Sequence, residues 1–246
     1  MHPINTFLSL LGVRLSRIGK EVSPAFKREY EQNYQKLKQN ESRFQVFKEF
    51  YYDSGEHPMS HIDFECAFAS RHLKRSNPSM ILDVGSYRAF ILGLLANYSI
   101  TTIDIRERLP VVENEIIINC DAKSLQLPDA SVDAVVSLCA LEHFGLGRYG
   151  DTFDFEGDRK AFKEMIRVLK PGGILIFSTT ITRAMPSIVF NAHRIYNYDM
   201  IQTFCNGLTP VEENFYSCSL NNLCSLEQIT KKSLQWDVYL GCWKKQ

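Results

Sequence analysis

From residue 77 onward the chain alternates short apolar segments with amphipathic ones, and this alternation constrains the fold more than any other feature. Residues 88–98 and 158–169 carry apolar side chains at helical spacing. Five other segments are nearly continuous apolar runs, as expected of strands buried on both faces, and cover residues 80–85, 100–105, 115–120, 132–140 and 173–180. This order of elements predicts a mostly parallel sheet with helices on both of its faces.

The two ends of the chain differ from this central pattern. Residues 1–76 are poor in strand signals and are predicted to form an N-terminal helical extension, which leaves 77–246 as the α/β domain. Within the extension, residues 4–20 form an amphipathic helix that either makes a weak contact with an anionic membrane surface or packs on protein. Packing is favoured because no lipidation signal is present. At the other end, residues 210–217 and 235–245 are predicted to close the sheet as a hairpin at its edge.

Composition excludes some classes of protein. Lys plus Arg equals Asp plus Glu at 28 each, so nothing in the overall charge indicates a nucleic-acid partner. The seven cysteines include no CxxC pair, which indicates reduced thiols in a cytoplasmic protein and not a disulfide framework or a zinc knuckle. His57 and His61 are four residues apart, but Pro58 lies between them and no third ligand is evident, so no metal site is predicted.

The loop after the first strand, within ILDVGSYRA, indicates what kind of ligand the domain binds. Gly85 permits a tight turn, and the N–H groups that follow it can meet a negative group. A loop that binds a pyrophosphate would have further glycines where Tyr87 and Ala89 stand. The carboxylate of Asp83 suits a ligand with an ammonium group instead. The loop therefore favours S-adenosylmethionine over a nicotinamide dinucleotide.

Acids at the ends of the next strands agree with this ligand. Asp104 ends the second strand, where a carboxylate can accept hydrogen bonds from both ribose hydroxyls. Asp121 follows the third strand and can accept from an adenine amino group. The fourth strand must end at the same cleft, which brings Cys139 there. The predicted cofactor contacts are Asp83, Gly85, Ser86, Asp104, Ile105, Asp121, Ala122 and Cys139.

These segments also carry a resemblance to a known family. The motifs ILDVGS, TIDIRE, LPDASVDAVVS, LEH and RVLKPGG resemble those of class I S-adenosylmethionine-dependent methyltransferases, in particular the group called type 11. Residues 138–173 are also similar to a domain family of unknown function. The resemblance implies a Rossmann-like sheet of seven strands in the order 3-2-1-4-5-7-6, with the seventh antiparallel. It covers the central domain and only poorly the N-terminal helices and the C-terminal segment.

Three residues are candidates for a general base. A hydroxyl acceptor must lose a proton on methylation, which requires a neutral histidine or an ionised carboxylate within reach. His143 is the first candidate because it leaves the fourth strand on the ligand side, although a structural hydrogen bond to the adjoining loop explains it equally well. Asp151, at the end of the glycine-rich segment GLGRYGD, is the second candidate, although a role as a turn or cap residue is favoured for it, and His193 is the third.

Contacts to the acceptor are expected from two segments. Arg148 and Tyr149 belong to GLGRYGD, whose three glycines make a lid plausible. Arg194 and Tyr196 follow the fifth strand, where methyltransferases often place acceptor contacts, and could grip a polar or anionic group there. Asp199 is predicted to cap the next helix. Glu142 is predicted either to hold the cofactor or to position the neighbouring loop.

The sequence thus predicts a cytoplasmic methyltransferase that acts on a hydroxyl of a sugar, a glycan precursor or a similar polar metabolite. The transfer follows from the motifs, whereas the acceptor follows only from the pathways in which similar proteins occur. Two alternatives remain open: a lipid-like or aromatic acceptor reached at a membrane, and a cofactor-binding protein without catalysis.

Overall fold

The computed structural model describes residues 22–40, 44–50, 59–108 and 112–246. The chain divides after Pro58 into two compact units. In the first unit, helix α1 (Pro24–Asn40) begins where Ser23 Oγ accepts a hydrogen bond of 3.1 Å from the Phe26 N–H. The membrane contact predicted for residues 4–20 lies outside the described residues. Within the described part of the chain, no helix has both the length and the apolar character needed to cross a membrane.

The second unit contains four α-helices, two short 3-10 helices and ten strands among its described residues. The α-helices are α2 (His61–Ser76), α3 (Arg88–Leu94), α4 (Gly157–Val168) and α5 (Tyr198–Phe204). The first five strands are β1 (Ile81–Val84), β2 (Ile100–Asp104), β3 (Glu115–Asn119), β4 (Val132–Leu138) and β5 (Leu169–Ile181). The others are β6 (Ser187–Val189), β7 (His193–Ile195), β8 (Leu208–Ser217), β9 (Asn222–Cys224) and β10 (Asp237–Lys245).

Eight of these strands form a single sheet in the order β3-β2-β1-β4-β5-β10-β8-β9. Strands β1 to β5 are parallel, and β10 is antiparallel to both of its neighbours. The α/β fold is therefore confirmed, and so is the predicted order of seven strands, with β8 as the sixth and β10 as the seventh. The eighth strand, β9, was not predicted; it pairs with the end of β8 at the sheet edge.

The prediction that residues 210–217 and 235–245 close the sheet as an antiparallel pair is confirmed by the pairing of β8 with β10. Strand β10 lies inside the sheet, between β5 and β8, because its two faces are both apolar. Val238 and Leu240 pack with one hydrophobic cluster, while Tyr239 and Trp243 pack with the other. A strand with two apolar faces is stable only when both faces are covered.

Helices cover both faces of the sheet, as predicted. One cluster contains Phe68 of α2 and Ile91 of α3, and the opposite cluster contains Phe162 of α4 and Ile201 of α5. Each large apolar side chain buried in this way contributes about 1.5–3 kcal/mol to folding. Because β1 to β5 are parallel, their carboxyl ends meet at one edge, where the loops that follow them converge.

The boundary of the N-terminal extension was predicted at residue 76, but α2 belongs to the second unit. Its start is defined by a capping box between Ser60 and Asp63. Phe68 and Leu73 on its inner face are buried in the core of the sheet domain. The apolar stripe of α2 can be buried only against this sheet, so the helix is part of that domain.

The segment after β5 also differs from the prediction. Strands β6 and β7 form a short antiparallel pair that was not predicted. Helix α5 is capped by Asn197, whose side chain accepts a hydrogen bond from the Met200 N–H at 2.9 Å, and not by Asp199. Asp199 lies in the first turn of α5, where an acid interacts favourably with the helix dipole.

Candidate functional site

An open cavity of about 680 Å³ lies at the carboxyl ends of the parallel strands. It is lined by residues that follow β1, β2, β3 and β4 directly, together with the segment that begins at His143. Six of the eight residues predicted to contact the cofactor line it, namely Gly85, Asp104, Ile105, Asp121, Ala122 and Cys139. This position is the one at which open α/β sheets bind their ligands.

Asp83 and Ser86, which were also predicted to contact the cofactor, are not among the residues that line the cavity. The Asp83 carboxylate accepts a hydrogen bond of 3.1 Å from the Ser86 N–H, and Ser86 Oγ accepts one of 3.1 Å from the Leu138 N–H. Both side chains therefore support the loop without lining the cavity, and the hydrogen bond of Ser86 joins the loop to the end of β4.

One oxygen of Asp83 has no hydrogen-bond partner among the described residues, although the side chain is fully buried. Burial raises the pKa of Asp83 to about 6, against the effect of the hydrogen bonds with Ser86. A buried carboxylate oxygen is costly unless a ligand or a water completes its hydrogen bonding. The orphaned oxygen thus fits a ligand that carries an ammonium group, acting directly or through water.

Gly85 has the left-handed conformation, with φ +76°, and a Cβ placed on it would lie 3.0 Å from Cβ of Ala140. We expect Gly85→Ala to lower the free energy of unfolding by about 1–2 kcal/mol, because an L side chain is strained in this conformation. Urea denaturation measures the change. Gly93→Ala is the matched control, since a Cβ there meets nothing within 4 Å and Gly93 lies in α3. That variant should be more stable by about 0.5–1 kcal/mol, and equal effects at the two positions would contradict the assigned backbone.

Asp104 ends β2 at the cavity wall and is held by two arginines. Its carboxylate accepts hydrogen bonds of 3.0 Å from the backbone and the guanidinium of Arg106 and one of 2.9 Å from Arg108. Burial by itself would raise the pKa of Asp104, but the hydrogen bonds and charges of Arg106, with the charge of Arg108, hold it below its ordinary value. The carboxylate is therefore ionised, and hydroxyl groups of a ligand would share its oxygens with the two arginines.

The region after β3 offers a second acceptor at the cavity wall. Asp121 Oδ1 accepts a hydrogen bond of 2.9 Å from the Lys123 N–H, and Lys123 Nζ lies 3.3 Å from Oδ2. The next residue, Ala122, is buried and lines the same wall. The Asp121 carboxylate can accept a hydrogen bond from the amino group of a base, and Ala122 can pack against the flat face of its ring.

His143 lines the cavity and its tautomer follows from its neighbours. Nδ1 lies 2.6 Å from the carbonyl oxygen of Ala192, which can only accept a hydrogen bond, so Nδ1 carries a proton. Arg148 donates to the same carbonyl at 3.3 Å. Burial lowers the pKa of His143, and the positive charge of Arg148 acts in the same direction. The imidazole is therefore neutral at physiological pH, with Nε2 as a hydrogen-bond acceptor.

Asp151 lines the cavity, but its carboxylate is committed to the loop of residues 145–151. It accepts hydrogen bonds from the N–H groups of Gly145 at 2.8 Å, Tyr149 at 3.2 Å and Gly147 at 3.3 Å. These contacts explain the residue as the organiser of a tight glycine-rich turn. The structure therefore gives the base role at Asp151 less support than at His143.

His193 does not line the cavity, although its ring centroid lies 6.4 Å from that of His143. Its ring also meets the indole of Trp236 edge to face at 6.1 Å. Burial lowers the pKa of His193, as does the charge of Arg148. It remains a neighbour of the site and not a part of the cavity wall.

Two predicted acceptor contacts are instead structural, which is a correction. Arg194 is buried, donates to the carbonyl of Phe144 at 2.7 Å and lies 3.4 Å from a carboxylate oxygen of Asp158. Tyr196 is fully buried and donates to the Asp158 carboxylate at 2.9 Å. Both side chains join β7 and the chain after it to the start of α4, so neither can reach an acceptor.

The other two predicted acceptor contacts lie at the mouth of the cavity. The guanidinium of Arg106 lies 4.9 Å from the ring centroid of Tyr149, and that of Arg148 lies 5.2 Å from it. Tyr149 lines the cavity, whereas Arg148 is exposed beside it. This cation–π arrangement covers the entrance beside Asp104.

Glu142, which was predicted to hold the cofactor or to position the neighbouring loop, and Glu65, which was not predicted, both lie near Cys139. Glu142 Oε2 accepts a hydrogen bond of 2.9 Å from Thr179 Oγ1, and burial raises the pKa of Glu142 to about 7. Burial likewise raises the pKa of Glu65 to about 7, and one of its carboxylate oxygens lies 2.6 Å from Cys139 Sγ. A signal for Glu65 was available, because it is an acid on the apolar stripe of an amphipathic helix.

Comparison with known proteins agrees with this geometry. Residues 82–177 match the family described as Methyltransferase domain. A malonyl-[acyl-carrier protein] O-methyltransferase of Marinomonas sp. (strain MWYL1) is 25% identical over 185 residues. The match covers 67% of this chain and 64% of that relative, so about a third of the relative has no counterpart in it.

Solved structures of methyltransferases have the same fold. The 1,6-didemethyltoxoflavin-N1-methyltransferase of Burkholderia thailandensis, with S-adenosylhomocysteine bound, superposes with a TM-score of 0.56 at 12% identity, covering 94% of this chain and 93% of that one. The N-methyltransferase NodS of Bradyrhizobium japonicum, also with S-adenosylhomocysteine, gives 0.53 at 16% identity, covering 88% and 98%. The sequence match, the strand order and the cavity at the strand ends agree: residues 82–177 are a methyltransferase domain with the fold of the class I S-adenosylmethionine-dependent enzymes, and S-adenosylmethionine is its cofactor.

Proposed function

We propose that the protein transfers a methyl group from S-adenosylmethionine to a hydroxyl of a polar small molecule, with a sugar or glycan precursor as the acceptor. The observation that most supports this proposal is the state of His143. A neutral imidazole whose Nδ1 proton is fixed by a backbone carbonyl offers Nε2 as a proton acceptor on the wall of the cofactor cavity.

The chain's own residues would hold the cofactor at three points. The Asp104 carboxylate accepts the ribose hydroxyls, which then compete with the guanidinium of Arg106. Asp121 accepts the amino group of the base, and the turn at Gly85 admits the amino-acid tail close to the backbone. Once bound, S-adenosylmethionine supplies a methyl group attached to a positively charged sulfur.

His143 would remove the proton of the acceptor hydroxyl. Because burial lowers its pKa, the imidazole is unprotonated near pH 7 and can take a proton at Nε2. The Ala192 carbonyl holds the ring in place and then stabilises the imidazolium through the Nδ1 proton. An oxygen acceptor requires such a base, whereas a free amine can lose its proton to water before the reaction. The position of His143 therefore supports an oxygen acceptor.

The mouth of the cavity supports a polar acceptor. Tyr149 can donate a hydrogen bond, and Arg148 and Arg106 bring positive charge beside it. Closure of these side chains over the site would exclude water from the reacting groups. By their names, the similar proteins methylate an oxygen or a nitrogen atom. They therefore support methyl transfer without indicating which atom of the acceptor is methylated. A cytoplasmic location also remains our proposal, supported by seven cysteines that are all free.

The proposal is tested in two steps. Isothermal titration calorimetry should show binding of S-adenosylmethionine and S-adenosylhomocysteine in preference to NAD. Incubation with methyl-labelled cofactor and a panel of nucleotide sugars, glycosides, fatty acyl compounds and phenols, followed by mass spectrometry, should then locate the label on an oxygen of a sugar-containing compound.

Each alternative predicts a different result in this experiment. Label on a fatty acyl compound or a phenol would support the lipid-like or aromatic acceptor and contradict the sugar. Binding of the cofactor with no labelled product from the panel or from a cell extract would indicate a binding protein without catalysis. Preference for NAD would contradict the proposal as a whole.

A further inference from the structure

We propose that His61, Glu65 and Cys139 bind a zinc ion at the border of the cofactor cavity. One ligand atom from each residue, a ring nitrogen, a carboxylate oxygen and the thiol sulfur, lies within 4.8 Å of the other two. Cys139 also lines the cofactor cavity, so the cluster of three residues adjoins that cavity. The partners of His61 in this cluster are Glu65 and Cys139, whereas His57 lies outside the described residues.

Secondary structure brings the three residues together. His61 and Glu65 are separated by one helical turn, so their side chains lie on the same face of α2. This helix packs on one face of the sheet, in the same hydrophobic cluster as residues of β4. Cys139 is the first residue after β4. Cys139 and Glu65 are thus brought together although they are 74 residues apart in the sequence.

The backbone at Cys139 is strained in a way that presents the thiol. Its φ is +44°, a left-handed conformation that is uncommon for residues other than glycine. The strain is maintained by a hydrogen bond of 2.9 Å from the Cys139 N–H to Ser178 Oγ. Such strain costs about 1–3 kcal/mol and persists at sites where a side chain must point in a set direction.

The three donors together indicate zinc. Nitrogen, oxygen and sulfur ligands are typical of zinc, whereas calcium and magnesium take oxygen alone. Three protein ligands with a fourth position open is the pattern of zinc sites that act on a substrate. In a tetrahedral site a sulfur and an oxygen ligand lie about 3.5 Å apart. Glu65 Oε1 is 2.6 Å from Cys139 Sγ, so the carboxylate must move by about 1 Å.

The burial of acids around Cys139 is a second argument for a cation. Glu65 is 3% exposed and Glu142 is 2% exposed, and both carboxyl groups lie near the same thiol. Burying such groups side by side is costly when no positive charge compensates them. A zinc ion supplies this charge and displaces the thiol proton of Cys139 to the solvent. The rings of Trp236 and Tyr216, at 5.7 Å and 6.3 Å from that of His61, shield the position from water.

An ion at this position would also bind the acceptor, an inference that rests on the proposed function. An oxygen or sulfur atom of the acceptor would take the fourth coordination position from the side of the cavity, which Cys139 lines. Zinc lowers the pKa of a bound oxygen, so it would assist His143 in removing the proton.

The site is tested by metal binding without any assay of activity. The full chain is stripped with EDTA, returned to EDTA-free buffer and titrated with Zn²⁺ or Co²⁺. We expect one equivalent of zinc per chain by mass spectrometry, and with Co²⁺ a thiolate-to-metal charge-transfer band in the near ultraviolet. Cys139→Ser should abolish the band and weaken zinc binding by about 100-fold or more, and Glu65→Gln should weaken it by about 10- to 100-fold.

Cys66→Ser is the matched control, since Cys66 lies on α2 beside Glu65 but outside the cluster. It should keep the band and the affinity. Circular dichroism and thermal unfolding show whether each variant is folded. If Cys139→Ser is not folded, the zinc affinity of the near-isosteric variant Glu65→Gln decides whether the cluster binds the ion. Equal zinc affinity in the wild type and a folded cluster variant, or a cobalt spectrum without the thiolate band, would overturn the zinc site.

Two further results distinguish a failure of the zinc site from a failure of the proposed methyl transfer. Full methyl transfer by the EDTA-stripped protein would overturn the role of the ion in acceptor binding while the proposed transfer stands. Absence of S-adenosylmethionine binding would overturn the proposed function, and one-to-one zinc binding lost in Cys139→Ser would still support the metal site.

Discussion

Replacing His143 with glutamine should lower the turnover number by about 10²- to 10⁴-fold, the usual contribution of a general base. Glutamine is of similar length and can donate to the Ala192 carbonyl, as Nδ1 does now at 2.6 Å, but it cannot take a proton from the acceptor. Affinity for S-adenosylmethionine should change little, because Asp104 and Asp121 are untouched. Steady-state kinetics on the identified acceptor and calorimetry with the cofactor measure the two effects separately.

The pH profile distinguishes a base from a residue that only supports the loop. The pKa of His143 lies below its ordinary value of 6.5, so turnover of the wild type should be constant above about pH 6.5 and fall at lower pH as Nε2 is protonated. The residual activity of His143→Gln should lack this fall.

His193→Gln is the comparison variant, because His193 is a nearby histidine that does not line the cavity. A smaller loss than in His143→Gln is expected. Near-normal turnover in His143→Gln, together with a large loss in His193→Gln, would transfer the base role to His193.

Asp104→Ala should weaken binding of S-adenosylmethionine by about 5- to 150-fold, which corresponds to about 1–3 kcal/mol. The carboxylate is the proposed acceptor for the ribose hydroxyls, and its pKa is held low by Arg106 and Arg108 once the opposing effect of burial is overcome. Without it, these two arginines lose their partner and leave uncompensated positive charge beside a positively charged ligand. Calorimetry with S-adenosylmethionine and S-adenosylhomocysteine measures the loss.

Asp129→Ala is the control for this prediction, since it makes the same change in net charge at a side chain that is 78% exposed and outside the cavity. Its cofactor affinity should equal that of the wild type, as should the secondary structure of both variants by circular dichroism. Unchanged affinity in Asp104→Ala would show that the cofactor does not contact the end of β2.

Much of the cofactor site could be predicted from the sequence, because it depends on strand ends. A parallel strand buried on both faces is a continuous apolar run, and the residue that follows it must reach the carboxyl edge of the sheet. This local rule places Gly85, Asp104, Asp121 and Cys139 at one cavity without any knowledge of packing. The interior position of β10, which the implied strand order already contained, follows the same rule, since seven consecutive residues of that strand are buried.

The acceptor side could not be predicted in this way, because it depends on which partner each polar side chain finds. Arg194 and Tyr196 have the right chemistry to grip an acceptor, yet both are bound to Asp158 in the core. Asp151 has the right chemistry for a base, yet its oxygens accept the N–H groups of its own loop. Residue type and spacing do not encode these pairings.

The sequence by itself determined the parallel sheet and the cofactor class, because apolar periodicity and residues at strand ends act locally along the chain, whereas the strand order came from the family resemblance. The tertiary structure alone decided the tautomer of His143, which depends on a carbonyl 49 residues away, and the meeting of His61, Glu65 and Cys139. Such contacts arise only when separate elements pack on each other. The protonation state and the ligand set of a side chain are properties of its neighbours in space.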